Sequence, residues 1–290
     1  MRPSLVIGAS GLVGEHLVRQ LTELDQNPIA TYRTNPIPSA EQLDICQTVQ
    51  VSTFFKRIKP RVVYLPAALT NVDYCETNQE LSYATNVIGM KNVVEASNAV
   101  DARLIYFSTD YVFDGLLGPY GEDSVANPIS EYGRQKLIAE HYLALTCSNF
   151  LIIRTTVVYG WEHQGKNFIY RLLKSLREGI PVKVPTDQVS TPTYAPDLAG
   201  SAFKLSKMDL TGVVNIAGPN CINRYEFALQ TAQIFQLPGH LILPVITKEL
   251  AQPAKRPLMA GLKTEKAMGL LGTTYSSSRD GLLLMSRQKN

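Results

Sequence analysis

The chain reads as an α/β protein built on a doubly wound parallel sheet that carries a smaller mixed α/β lobe. Three observations point there. The first half alternates short apolar runs with longer amphipathic stretches, the pattern of successive βαβ units. A glycine-rich turn follows the first apolar run and opens the first amphipathic stretch, Gly8-Ala-Ser-Gly11-Leu-Val-Gly14. Beyond Arg154 the alternation breaks into a Pro-rich stretch through Pro181, Pro185, Pro192 and Pro196.

Taken in order, the strands are expected at Leu5-Gly8, Ile29-Arg33, Val62-Leu65, Leu104-Ser108 and Leu151-Arg154. They are nearly continuous in apolar residues, as strands covered on both faces must be. Between them lie helical stretches at Leu12-Leu24, Thr48-Ile58, Glu76-Val100 and Ser130-Leu145, the last with Ser130 as its N-cap after Pro128-Ile129. A helix at Asn167-Arg177, a strand at Val213-Ala217 and a helix at Arg224-Phe235 follow, then a turn-rich Gln252-Pro257 segment and a Leu-rich end at Gly281-Met285. The division expected is a nucleotide domain of residues 1–155 and 186–219, with residues 156–185 and 220–290 forming a lobe over the strand C-termini.

The 290 residues suffice for one large or two modest domains, and a hydrophobic content of 45% is ordinary for a soluble globular protein. A net charge of +3 with no basic run longer than Lys56-Arg57 argues against nucleic acid. No stretch approaches the ~20 apolar residues of a spanning helix, so no membrane partner is expected. Cys46, Cys75, Cys147 and Cys221 are scattered without a C-x-x-C or a nearby histidine pair. They read as unpaired thiols of a reducing compartment, with no metal site and a cytoplasmic location.

Gly8, Ser10, Gly11, Leu12, Val13 and Gly14 form a strand-to-helix turn suited to a dinucleotide. Glycine permits the tight turn and a close backbone approach to a pyrophosphate, which gains from the helix N-terminus. The second strand ends Ala30-Thr31-Tyr32-Arg33-Thr34 without a carboxylate. A carboxylate there would accept from the 2′-OH of NAD, whereas Arg33 can pair with the 2′-phosphate of NADPH. Asp44-Ile45 falls where a third strand should end; Asp44 there either faces the adenine or is a plain turn aspartate.

Tyr132 and Lys136, four apart on one helix, place phenol and ammonium on one face. A nearby cation favours phenolate and is expected to lower the tyrosine pKa. With Ser108-Thr109 upstream, the order of motifs points to hydride transfer to a carbonyl from a bound nicotinamide, Tyr132 acting as proton donor.

Phe107-Ser108-Thr109-Asp110-Tyr111-Val112-Phe113-Asp114-Gly115 is a specific run. With Pro119-Tyr120-x-Glu122, Tyr132-Gly133-x-x-Lys136, Glu140, Arg154-Thr155-x-x-Val158-Tyr159-Gly160, Asp187-Gln188-x-x-x-Pro192-Thr193 and Arg256-Pro257, it resembles the dTDP-4-dehydrorhamnose reductase family of extended short-chain dehydrogenases across nearly the whole chain. The resemblance implies a Rossmann-like NADPH domain, a nucleotide-sugar substrate, a monomer or homodimer, and a catalytic set at Thr109, Tyr132 and Lys136. Ser108 is open to sharing the role of Thr109, and Lys136 would also hold the nicotinamide ribose. Asn86 matches a helix position that supports the site, though a purely structural asparagine is equally open. Ala67 and Ala68 fall in the loop beside the cofactor, preceded here by Pro66 rather than the family's polar residue.

Departures cluster on the substrate side. Val157 stands where family members carry a tryptophan beside the sugar, and Arg256-Pro257 runs into Leu258-Met259-Ala260 instead of polar residues. Trp161 is not assumed to replace the missing ring. The stretch from Arg224-Tyr225-Glu226 to Leu237-Pro238 also resembles the regulatory β subunit of methionine adenosyltransferase, which binds NADP as a partner subunit. A regulatory role without turnover is therefore the alternative to a reductase.

Overall fold

Residues 2–288 are described by the structure, a computed structural model. Its centre is a seven-stranded sheet. Six strands come from the first half: β1 (Ser4–Ile7), β2 (Ile29–Tyr32), β3 (Glu41–Gln42), β4 (Val62–Leu65), β5 (Arg103–Thr109) and β6 (Phe150–Thr155). The strand Gly212–Asn215 completes it beside β6, and all pairings are parallel. The spatial order is Gly212–Asn215, β6, β5, β4, β1, β2, β3. It reverses between β1 and β4, so the loops that follow these two strands diverge and open a crevice at their C-terminal ends.

Side chains alternate across this sheet, as the period of a strand requires. Leu5, Ile7, Val63, Leu65, Leu104 and Tyr106 join one cluster, closed by α2 (Thr48–Ile58), α5 (Met90–Ala99) and α6 (Glu131–Thr146). Val6, Tyr64, Ile105, Phe107 and Ile153 join the other, closed by α1 (Leu12–Glu23) and α8 (Ala195–Ser206). Burying each such aliphatic side chain contributes about 1.5–3 kcal/mol, which is why the expected strands formed where apolar runs occurred. Ser130 caps α6, its hydroxyl accepting from the Gly133 amide at 3.2 Å.

Two expectations change. The single helix expected over 76–100 is divided into α3 (Val72–Thr77), α4 (Gln79–Tyr83), a π-helical turn at Ala84–Gly89, and α5. Asn78 breaks it, with φ −131° and ψ 59°. The second change concerns α10 (Glu265–Leu271), expected within the lobe. It packs instead on the sheet, where Ala267 is fully buried beside the α8 residues.

The lobe is a mixed α/β layer. Val182–Pro185 pairs in parallel with Ile242–Val245, and Val189–Ser190 antiparallel with Ile222–Asn223. Around them α7 (Phe168–Arg177), α9 (Arg224–Ile234) and α11 (Ser278–Arg287) bury Ile169, Leu173, Phe227, Leu282 and Met285. Trp161 belongs to this core, its indole N–H donating to the Met285 carbonyl at 2.8 Å. Among the described residues, no helix is long and apolar enough to cross a membrane.

Candidate active site

A cleft of about 570 Å3 lies over the sheet's reversal point and runs on to the lobe. The glycine turn forms one end. Gly8 sits at φ +93°, and a Cβ there would come within 2.9 Å of Ala67, so β1 and the β4 loop meet only through glycine. A Cβ on Gly14 would collide with the Gly8 carbonyl, whereas one on Gly11 would meet nothing nearer than 3.6 Å. The fold thus demands glycine at 8 and 14 but not at 11, where the open backbone faces the cleft. Gly11 caps α1 without a side-chain hydrogen bond, leaving the helix's first amides directed at this space. Such a cradle fits the pyrophosphate of a dinucleotide.

Ser10, Leu12, Val13, Arg33, Ile45, Ala67 and Ala68 line the same end. The Arg33 Nε lies 3.3 Å from the Asp44 carboxylate, in a partly exposed pair. Asp44 itself does not border the cleft; its Oδ1 accepts from the Cys46 amide at 3.0 Å. Asn86 stands behind the wall. Its carbonyl accepts from the Leu69 amide at 2.7 Å, and its NH2 donates to the Leu69 carbonyl at 3.1 Å and to Gln135 at 2.9 Å. It thereby ties the loop after β4 to α6, a positioning contact.

The middle of the cleft brings together Ser108 and Thr109 from the end of β5 and Tyr132 and Lys136 from α6. All four are buried. The Thr109 hydroxyl donates to Asp110 at 3.1 Å and Thr156 donates to the other Asp110 oxygen at 2.6 Å. Ser108 borders the cleft, but its hydroxyl oxygen is buried and has no hydrogen-bond partner. Lys136 Nζ donates to the Phe107 carbonyl at 2.6 Å and lies 4.0 Å from the Tyr106 ring centroid.

This geometry corrects the expected effect of Lys136 on the phenol. Burial, reinforced by Asp110, pushes the Tyr132 pKa well above its ordinary value. Desolvation meanwhile lowers Lys136 to about 7, although Glu140 opposes it. The ammonium is turned to the strand carbonyl, so the helical spacing alone does not produce an acidic phenol. Asp110 is raised to about 6, mainly by burial.

Beyond this centre the cleft is bounded by Tyr111, Thr156, Val157, Asn167 and Arg224. Val157 sits at φ +39°, a left-handed conformation that strains a β-branched residue by on the order of 1–3 kcal/mol. Arg256, expected to meet substrate, does not border the cleft: it pairs with Asp73 at 2.7 Å and donates to the Ala254 carbonyl. Arg224 was expected only as the start of a helix. Among the described residues, no group of three or more His, Cys, Asp or Glu side chains is arranged to hold a metal.

Comparison with known proteins follows the same lines. The model of the RmlD substrate binding domain matches residues 1–289. The spore coat polysaccharide biosynthesis protein SpsK of Bacillus subtilis (strain 168) is 33% identical, over 89% of this chain and 87% of its own. Methionine adenosyltransferase 2 subunit beta of Xenopus tropicalis is 29% identical, over 88% of this chain and 78% of its own. Among solved structures, a dTDP-4-dehydrorhamnose reductase from Bacillus anthracis str. Ames, in complex with NADP, superposes with a TM-score of 0.90 at 30% identity, covering 98% of this chain and 99% of that one.

Proposed function

The chain belongs to the RmlD substrate binding domain family, and from that premise we propose that it is an NADPH-dependent oxidoreductase acting on a nucleotide-linked 4-keto-6-deoxysugar. The simplest such reaction converts dTDP-4-dehydro-L-rhamnose to dTDP-L-rhamnose. One observation carries the reading: the glycine cradle, Arg33 and the Thr109, Tyr132 and Lys136 side chains all line a single cleft.

When bound, a nicotinamide would supply the hydride that the carbonyl carbon receives. The chain's own residues do the rest. Leu12, Val13 and Gly14 present backbone amides to the pyrophosphate, and Arg33 meets the 2′-phosphate. Tyr132 gives its proton to the carbonyl oxygen as negative charge develops there, and solvent later replaces it. A phenol whose pKa is held high stays protonated until that moment. Thr109 and Ser108 supply hydroxyls to the same oxygen, with Asp110 and Thr156 fixing the Thr109 rotamer. Lys136 holds the ribose and biases Tyr132 once its ammonium is drawn from the Phe107 carbonyl.

The test is NADPH oxidation by the purified protein against dTDP-, UDP- and GDP-linked 4-ketosugars, with product stereochemistry read by NMR. Turnover of one sugar class supports the reading; none across the panel opposes it. The similarity to methionine adenosyltransferase 2 subunit beta supports a second reading, an NADP-binding regulatory subunit. That role predicts NADPH binding, no ketosugar turnover and a stable complex with a methionine adenosyltransferase.

A further inference from the structure

Three arginines around the cleft are paired with carboxylates. Arg33 has Asp44, Arg154 has Glu140 at 2.6 Å, and Arg256 has Asp73. Arg224 lines the cleft on the side away from the glycine cradle, and among the described residues its guanidinium has neither an ion-pair nor a hydrogen-bond partner. It is the first residue of α9, capped by Asn223, and its backbone amide donates to the Gln188 carbonyl at 2.9 Å. The guanidinium lies 4.9 Å from the Phe168 ring centroid. A ring face steadies the guanidinium and leaves its N–H edges free for a bidentate oxyanion.

The surroundings add positive charge. Burial lowers the Arg224 pKa, opposed by Tyr111 and Asp110 and reinforced by the nearby Arg256 and Arg171. Arg256 is already neutralised by Asp73, but Arg171, exposed on α7, has no carboxylate partner among the described residues. Asp110, an acidic side chain of the same cleft, is committed to Thr109 and Thr156. A sheltered cation without an ion-pair partner is costly unless a ligand brings negative charge. The phosphates of the cofactor have their own cradle at the opposite end of the cleft.

We propose that Arg224 is the anchor for the diphosphate of the nucleotide-sugar, setting which substrates dock beyond Tyr132. This rests on the reductase reading and adds the residue that recognises the substrate's charge. The diphosphate lies between nucleoside and sugar, so a cation at this place fixes how deep the sugar reaches towards Thr109 and Tyr132. A carboxylate on the sugar offers the same oxyanion chemistry and is separated by the choice of probes.

The experiment is calorimetric titration of NADP-loaded wild type, Arg224→Ala and Arg224→Lys with dTDP, UDP, GDP, dTMP and D-glucuronate. At least one nucleoside diphosphate should bind wild type, about 10- to 100-fold weaker to Arg224→Ala, with partial recovery in Arg224→Lys. NADPH affinity, which should not move, and melting temperature, which should not fall, serve as the folding controls. Equal diphosphate affinity in wild type and Arg224→Ala overturns the anchor while leaving the reductase reading intact. Loss of D-glucuronate binding alone reassigns Arg224 to a sugar carboxylate and overturns the diphosphate. Failure of wild type to bind any nucleoside diphosphate overturns both the anchor and the nucleotide-sugar reading.

Discussion

Replacing Arg33 with alanine isolates one group of the cofactor, because the 2′-phosphate is what distinguishes NADPH from NADH. A charge-assisted hydrogen bond from guanidinium to phosphate contributes about 1.5–3 kcal/mol. Against it stands the existing pair with Asp44 at 3.3 Å, whose side chains are 44% and 27% exposed. Pairs this exposed contribute about 0–1 kcal/mol, and that much is given up or shared when a phosphate arrives. The difference is about 0.5–3 kcal/mol, or about a 2- to 150-fold rise in Kd for NADPH. NADH, which has no phosphate at that position, should bind both proteins within about twofold. The loop itself should survive, since Gln42 holds it by donating to the Arg33 backbone carbonyl at 3.0 Å, a bond alanine keeps. Calorimetry with both cofactors at low and moderate salt is the assay. The NADPH penalty should shrink as salt rises, because the pair is solvent-accessible. An unchanged Kd for NADPH would remove Arg33 from the cofactor site. Equal weakening of NADPH and NADH would show that its role is to shape the loop.

Three further outcomes are expected. Tyr132→Phe should lower kcat by about 10²- to 10⁴-fold and leave NADPH affinity unchanged, because the phenol acts only as the oxygen becomes an alkoxide; single-turnover kinetics with full activity would exclude it as the acid. Gly11→Ala should keep or slightly raise the melting temperature, since Gly11 has φ −91° and an added Cβ meets only ordinary contacts, while weakening NADPH at least about 10-fold by filling the cradle; unchanged affinity by calorimetry would mean that no phosphate approaches this backbone. Lys136→Met should stabilise the cofactor-free protein, most clearly below pH 7. Unfolding lets Lys136 regain a proton between its folded value of about 7 and its ordinary 10.5, so wild-type stability rises with pH across that window and the advantage of methionine shrinks; denaturant titrations showing a pH-independent difference would contradict the buried-ammonium account.

How far the sequence could be read depended on whether a feature was local. The βαβ rhythm, the Ser130 cap and the glycine turn are decided by neighbours in the chain, and each was visible. Helix 76–100 was not divided in the reading, because its break follows from tertiary demands. Asn86 must reach both Leu69 and Gln135, and a Cβ on Gly89 would come within 2.6 Å of Ile45. No periodicity in residues 76–100 encodes those partners. The placement of α10 on the sheet is equally non-local, decided by Ala267 meeting the α8 face.

The cleft shows the same division at the level of single side chains. Spacing placed Tyr132 and Lys136 on one face but could not say where the ammonium points, and the Phe107 carbonyl and Tyr106 ring captured it. It also could not separate Arg256 from Arg224. Both are arginines in the second half of the chain, one in a motif and one opening a helix. The arginine expected to meet substrate is spent on Asp73, 183 residues away, while Arg224, which was given no site role, borders the cleft. A charged residue in a family motif is therefore as apt to fasten the wall as to touch the ligand. The sign that separates the two cases is whether its charge is already answered within the fold. Val157, on the same cleft, is apolar and sits at φ +39°. By the same sign, among the described residues the Arg224 guanidinium is the cleft-lining arginine left without an ion pair, so its charge is the one still open to a ligand.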